Sequence, residues 1–209
     1  AAKAVEKGAV GIIFVNEGEM ASDPKMKFRK IKNSGVPVVF LKEVPGGKAK
    51  KMKSASIEVL VQEQMIEVRN VVGLFNNNAE RTIIIGAHYD HLGYGEDNSL
   101  YKGERAIHNG ADDNASGTAG LIELAEFFSK DTNFTAVNIL FVAFSAEERG
   151  LLGSKYFVNN MMLPHEMISF MLNMDMIGRL EDRKIAVSGV GTSPQWEEML
   201  EFSRCDMNL

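Results

Sequence analysis

Apolar positions cluster in short runs, and the spacing inside each run predicts an element. Thr82-Ile83-Ile84-Ile85 opens a continuous apolar stretch, and Ala136 to Phe144 forms another, both fit for strands covered on two faces. Between them the period changes. Leu121, Leu124, Ala125 and Phe128 recur at helical spacing, with Glu123 and Glu126 opposite, which predicts an amphipathic helix over Thr118 to Lys130. Val68 to Phe75 reads as an opening strand, Ile168 to Met174 as a third apolar strand and Lys184 to Ser188 as a fourth. Ser154 to Asn160 belongs to a helix, and Ser193-Pro194 caps and starts another that carries Trp196, Met199 and Leu200. Strands alternating with helices imply an α/β fold with a mixed, largely parallel sheet flanked by helices.

The first third has another texture. Ala1 to Lys7 reads as the tail of a helix ended by Gly8, followed by strands over Ala9–Val15 and Val36–Leu41. Pro37 lacks a backbone donor and suits the start or edge of its strand. A loop with Asn16, Gly18, Ser22, Asp23 and Pro24 separates these strands, and a turn at Pro45-Gly46-Gly47 precedes a strand over Ser56–Val61. The expected division is a small β-rich unit over residues 1–64 and an α/β domain over residues 65–209.

Composition narrows the function classes. The 209 residues are 45% hydrophobic and 24% charged, as in an ordinary globular chain rather than a disordered one. The net charge of −5 argues against nucleic acid as the main partner. Lys25, Lys27, Arg29, Lys30 and Lys32, with Lys48, Lys50, Lys51 and Lys53, read as a solvated, charge-protected edge. The single cysteine, Cys205, excludes an internal disulfide framework and a cysteine-based zinc cluster. The 12 methionines, among them Met161, Met162, Met171, Met174 and Met176, read as adaptable core filler. No apolar run approaches the roughly 20 residues of a membrane span. The chain opens Ala1-Ala2-Lys3 and stops just after a predicted helix, so a fragment of a longer protein is expected.

Polar residues with chemical potential sit where the strands end. The first buried strand runs into Gly86-Ala87-His88-Tyr89-Asp90-His91, the second into Ser145-Ala146-Glu147-Glu148-Arg149-Gly150, and the third into Asn173-Met174-Asp175. The loop Gly110-Ala111-Asp112-Asp113-Asn114-Ala115-Ser116-Gly117 leads into the amphipathic helix. Singly, each has a plainer reading: an exposed turn for Glu147-Glu148, a satisfied structural histidine for His88, a capping loop for Asp112-Asp113-Asn114, a surface acid for Asp175. Together they fall at the carboxyl ends of successive strands, where open α/β sheets bind ligands. So many carboxylates in one crevice repel one another unless cations sit among them. Histidine and carboxylate donors without thiolates suit zinc, with manganese or cobalt as alternatives.

These four segments, including Ala146-Glu147-Glu148-Arg149-Gly150-Leu151-Leu152-Gly153-Ser154 and Asn173-Met174-Asp175-Met176-Ile177-Gly178, closely resemble the M28 family of zinc aminopeptidases. Residues 1–64 resemble part of a protease-associated domain. The resemblance implies a metal-dependent exopeptidase acting on peptide substrates, with two zinc ions in the intact enzyme. It implies His88 and Asp175 as ligands of one zinc, Asp113 as the bridging carboxylate, Glu148 as ligand of the second zinc, and Glu147 as general base. Asp113 is chosen over Asp112 because the family's bridging acid stands three residues before the serine, here Ser116. Asp90 is expected to orient the imidazole of His88. An extracytoplasmic location follows by analogy with relatives that carry a protease-associated domain. The family's second zinc also takes a histidine from far downstream, and no histidine follows Asp175 here. One complete zinc site is therefore expected, with only Asp113 and Glu148 at the other. His91 reads as a packing or hydrogen-bonding residue, His108 as a candidate for the crevice wall, and His165 as solvent-facing. The rival functions are an inactive binding or receptor relative and a single-zinc acyltransferase like the glutaminyl cyclases.

Overall fold

The computed structural model describes residues 1–15, 34–41, 53–60, 65–95, 99–131, 133–180 and 184–207, with side chains as far as residue 203. The predicted loop over residues 16–24, the turn at 45–47, Val61, the Cys205 side chain and every basic residue of the N-terminal cluster except Lys53 lie outside the described residues. The chain divides into two compact units, Ala1–Ile66 and Glu67–Leu209.

The first unit holds a short helix, α1 (Ala2–Val5), and two parallel strands, β1 (Ile12–Val15) and β2 (Val38–Leu41), with Ile12 opposite Val38. The Pro37 carbonyl accepts from the Ile12 amide at 2.9 Å, so proline stands just ahead of β2, where its missing donor costs no ladder bond. The strand expected from Ser56 is not formed by residues 56–60. Alternation does not make a strand without a neighbour to complete its ladder, and among the described residues none pairs with this segment; Leu60 is left 84% exposed.

The second unit is a four-stranded mixed sheet in the order β3 (Val71–Phe75), β5 (Asn138–Phe144), β4 (Thr82–His88), β6 (Ile168–Asn173). β4 runs parallel to both β5 and β6, and β3 is antiparallel to β5. The apolar runs place β4 and β5 in the centre, and their side chains alternate between the two faces. On one face Ile85, Ala87, Ile139 and Phe141 pack with Leu121, Leu124, Ala125 and Phe128 of α2 (Gly117–Lys130). On the other, Ile84, Leu140, Val142 and Phe144 pack with Phe157 of α3 (Leu152–Asn159). The sheet is thus flanked by a helix on each face. β6 is an edge strand and less covered than its apolar sequence predicts, with Met171 and Leu172 41% and 46% exposed.

α4 (Gln195–Met207) starts beyond Ser193-Pro194, as the capping signal predicts, and its Trp196 ring meets Phe170 edge-on at 5.1 Å. The predicted strand over Lys184–Ser188 is absent: Lys184 makes an isolated bridge, and the next four residues are irregular and exposed. Ile185 and Val187 are more than half exposed and pair with no strand among the described residues.

Candidate metal centre

Register brings the chemistry together. Gly86 of β4 pairs with Asn173, the last residue of β6; two residues further along the chain stand His88, at the end of β4, and Asp175, just past the end of β6. His88 in turn pairs with Phe144 of β5, three residues before Glu147. The Tyr89 amide bonds the Phe144 carbonyl, and the Met174 amide bonds the Gly86 carbonyl, each at 2.9 Å, which holds the three strand ends level. A fourth contribution comes from the wide helical turn Ala111–Ser116, whose helical dihedrals break at Asp113 and Asn114 just before α2.

Buried polar side chains lock these pieces. Asn114, 2% exposed, accepts from the Gly117 amide at 3.0 Å and the Met176 amide at 3.2 Å and donates to the Met174 carbonyl at 2.9 Å. One amide therefore ties the turn bearing Asp113 to the strand end bearing Asp175. Gly117 is required there, because a Cβ would lie 2.4 Å from both Asn114 Oδ1 and the Met174 carbonyl. Asp112 serves the same junction: its Oδ1 accepts from the Gly178 amide at 2.9 Å, and its carbonyl accepts from Ser116 Oγ at 2.7 Å. Asn70 bonds the Ser145 amide at 3.0 Å and the Gly153 carbonyl at 2.8 Å, fastening both ends of the segment that carries Glu147 and Glu148. Gly153 admits that close approach, since a Cβ would meet the Ser145 carbonyl at 2.0 Å.

His88 is 3% exposed, and its Nδ1 lies 3.0 Å from the Asp90 main-chain carbonyl. A carbonyl only accepts, so this hydrogen bond puts the proton on Nδ1 and leaves a lone pair on Nε2. Nε2 faces Asp113 Oδ1 at 3.3 Å, Asp175 Oδ1 at 3.6 Å and Glu147 Oε2 at 3.9 Å. The Asp90 carboxylate behaves differently from the expectation. Its Oδ1 is 3.9 Å from His88 Nδ1, while its two oxygens accept from the Glu147 amide at 3.0 Å and the Glu148 amide at 3.2 Å. Asp90 orients the imidazole through its backbone, and its side chain holds the two glutamates; adjacent free amides at the end of β5 are the stronger attraction.

The other oxygen of Asp113, Oδ2, lies 3.9 Å from His91 Nδ1, and that nitrogen is 2.8 Å from Glu148 Oε1. Among the described residues, two sets therefore converge as metal ligands could: His88, Asp113 and Asp175, and His91, Asp113 and Glu148. His91, read from the sequence as a packing or hydrogen-bonding residue, stands in the crevice against Glu148. It stands three residues beyond His88, past the end of β4. His108 bonds Ser99 Oγ at 2.6 Å through Nε2, and its ring centroid stands 6.4 Å from that of His91. His165 is exposed, in a single 3-10 turn before β6.

Glu147, a third exposed, has its pKa raised above the ordinary glutamate value. Burial is the main cause. His88 opposes it, and the nearby carboxylates of Glu148, Asp175 and Asp90 reinforce it. The donor set fits a zinc-like cation: imidazole nitrogen and carboxylate oxygens meet within reach of one point, and the acids gain the positive partner their mutual repulsion demands.

The fold and its crevice define an α/β protein with histidine and carboxylate side chains that could hold a metal ion at the carboxyl end of its sheet. The chain belongs to peptidase family M28, whose family profile matches residues 70–203. It is 30% identical over 186 residues to an aminopeptidase of Pseudomonas aeruginosa (strain UCBPP-PA14), an alignment covering 85% of this chain and 32% of that protein. The chain spans about a third of the length of the curated relatives it matches. Among solved structures, a Zn-dependent exopeptidase from Parabacteroides distasonis ATCC 8503 is similar at TM-score 0.44 and 24% identity, over 52% of this chain and 41% of that one. A Porphyromonas gingivalis glutaminyl cyclase is similar at TM-score 0.46 and 24% identity, over 56% and 46%.

Proposed function

We propose that this chain carries the catalytic centre of a zinc-dependent aminopeptidase, which hydrolyses the N-terminal peptide bond of peptide substrates. The observation that carries this reading is the convergence of Asp113, Asp175 and Glu147 on the Nε2 lone pair of His88, within 3.3 to 3.9 Å. Family membership and the aminopeptidase named among its relatives support the choice of substrate class.

His88, Asp113 and Asp175 would hold a zinc ion, and Asp113 and Glu148 would be the groups to serve a second. Zinc supplies Lewis acidity toward the attacking water and the scissile carbonyl. Glu147 takes a proton from that water as its oxygen bonds the carbonyl carbon, and passes it to the leaving amine as the C–N bond breaks. Burial and neighbouring acids raise its pKa, making it a stronger base than a free glutamate. The Asp90 carboxylate holds the backbone on which Glu147 stands and is a positioning group. A protease-associated role for residues 1–64 and a location outside the cytoplasm belong to the same reading; the resemblance of the Lys7–Ile13 and Val36–Phe40 segments supports them.

The test is hydrolysis of aminoacyl anilides by the zinc-loaded chain, compared with cyclisation of N-terminal glutaminyl peptides. Expected are anilide hydrolysis, loss with chelator, recovery with zinc, and a fall in kcat of roughly 10²–10⁴-fold in Glu147→Gln at unchanged metal content. Turnover of glutaminyl peptides alone would make the chain an acyltransferase. A loaded chain that turns over neither substrate would make it a binding relative.

A further inference from the structure

We propose that Ser99 and His108 form a second reactive site that works without a metal: Ser99 Oγ is a nucleophile, His108 Nε2 is its general base, and the substrates are carboxylic esters of acidic alcohols such as phenols. Both residues lie in the loop between β4 and the Ala111–Ser116 turn. The inference does not rest on the crevice being a metal centre.

The placement of protons is the first argument. His108 Nδ1 lies 3.1 Å from the Ala106 carbonyl, which only accepts, so Nδ1 carries a proton. In the neutral ring Nε2 then holds a lone pair, and Ser99 Oγ stands 2.6 Å from it. The hydroxyl therefore donates to the imidazole, the direction that a nucleophile and its base require. The Ala106 carbonyl is the third group: it fixes the tautomer and favours positive charge on the ring once the ring takes the serine proton. The Tyr101 amide donates to the same Ser99 oxygen at 3.1 Å and supports the negative charge that builds there as the proton leaves.

Fixed position is the second. The His108 ring rests on the bare backbone of Gly95, where a Cβ would come within 2.3 Å of ring atom Cε1 and where φ is +73°. The His108 amide donates to the Gly93 carbonyl at 2.7 Å, and the Tyr101 ring meets the imidazole edge-on, with centroids 6.2 Å apart. Backbone and ring contacts thus set the pair before any substrate arrives.

Access and leaving group define the substrate class. Ser99 and His108 are half-buried, while Leu100 and Tyr101, the next two residues after the serine, are 89% and 60% exposed and offer apolar surface to the acyl or aryl part of an ester. Ser99 Oγ bonds the acyl carbon, His108 Nε2 takes the hydroxyl proton, the C–O bond to the phenol breaks, and the phenol departs with that proton. The acyl group stays on Ser99 until water, deprotonated by the same imidazole, releases it as the free acid. A phenol is a far better leaving group than an amine, so a site of two side chains suits phenyl esters rather than peptides.

The experiment is reaction of the 209-residue chain and its Ser99→Ala and His108→Gln variants with p-nitrophenyl acetate in chelator. Nitrophenol release is followed by absorbance, and the acetylated residue is located after an acid quench by tryptic mass spectrometry, in which Ser99 is the single serine between Arg81 and Lys102. Expected are a burst of one nitrophenol per chain, acetyl on Ser99, no burst in Ser99→Ala, and acetylation slower by about 10²–10⁴-fold in His108→Gln. Because a loop variant can lose its local structure, the parent is also treated in urea: unfolding must slow acetylation of Ser99 by the same order. Acetylation at other residues alone, or none, would overturn the inference. So would Ser99 reacting as fast in His108→Gln or in urea as in the folded parent, or reacting only once zinc is restored. Each of these results leaves the proposed function standing, since no metal takes part in the expected reaction.

Discussion

Glu147 is where one residue shows most about its surroundings. Its folded-state pKa lies above the ordinary glutamate value of 4.5 that it has in the unfolded chain, so the neutral form stabilises the fold below that pH. That contribution is lost as pH rises through the folded-state value. In the metal-free chain, Glu147→Gln is therefore expected to unfold at a higher temperature than the parent at neutral pH and at the same temperature near pH 3.5. Thermal denaturation in chelator at the two pH values checks this; an equal gain at both would trace the effect to packing. Asp90 offers a second prediction. Asn keeps one of the two oxygens that accept from the glutamate amides. Asp90→Asn should lower kcat about 10–100-fold, in the range of other supporting contacts, with KM and metal content nearly unchanged. Loss of metal instead would mean that the carboxylate supports His88 after all.

At the level of elements, the junction of the Asp113 turn, α2 and the end of β6 depends on Asn114. Removing three hydrogen bonds from a nearly inaccessible amide, and leaving the Gly117 and Met176 amides without that acceptor, should cost about 2–4 kcal/mol in Asn114→Ala. Urea denaturation measures it; a loss below about 1 kcal/mol would mean that water takes over the amide's place. The same elements show what could be read from sequence. β4, β5 and α2 were legible because burial on two faces, or on one helical stripe, writes itself into the order of apolar residues. Ser56–Leu60 and Lys184–Ser188 carry comparable patterns, but whether a strand forms depends on a partner elsewhere in the chain, which no local pattern records. Strand-end acids were legible as a group for the same reason as β4 and β5. His91 was not, because its approach to Glu148 depends on the path of a loop after the strand, and neither periodicity nor motif order encodes it. The direction of the Asp90 carboxylate was likewise hidden, since two backbone amides compete with His88 for it.

For the whole molecule, the sheet with a helix on each face has its own buried core, and residues 67–209 contain all of it. Expressed alone, that segment should unfold cooperatively and bind the same number of metal equivalents as the full chain; a fall in that number would show that the first unit contributes to the centre. Leu121→Ala, in the core beneath α2, should cost it about 2–5 kcal/mol in denaturant. The candidate donors His88, Asp113, Glu148 and Asp175 come from separate stretches of chain, which meet only when the sheet is assembled. An ion held there acts as a removable staple across the fold, because the unfolded chain cannot present the same set. Zinc at 100 times its dissociation constant should add about 2.7 kcal/mol to the free energy of unfolding, and sequestering it should expose the chain to proteases. The supply of the ion then governs how long each molecule lasts, a limit on its working life that is separate from its rate.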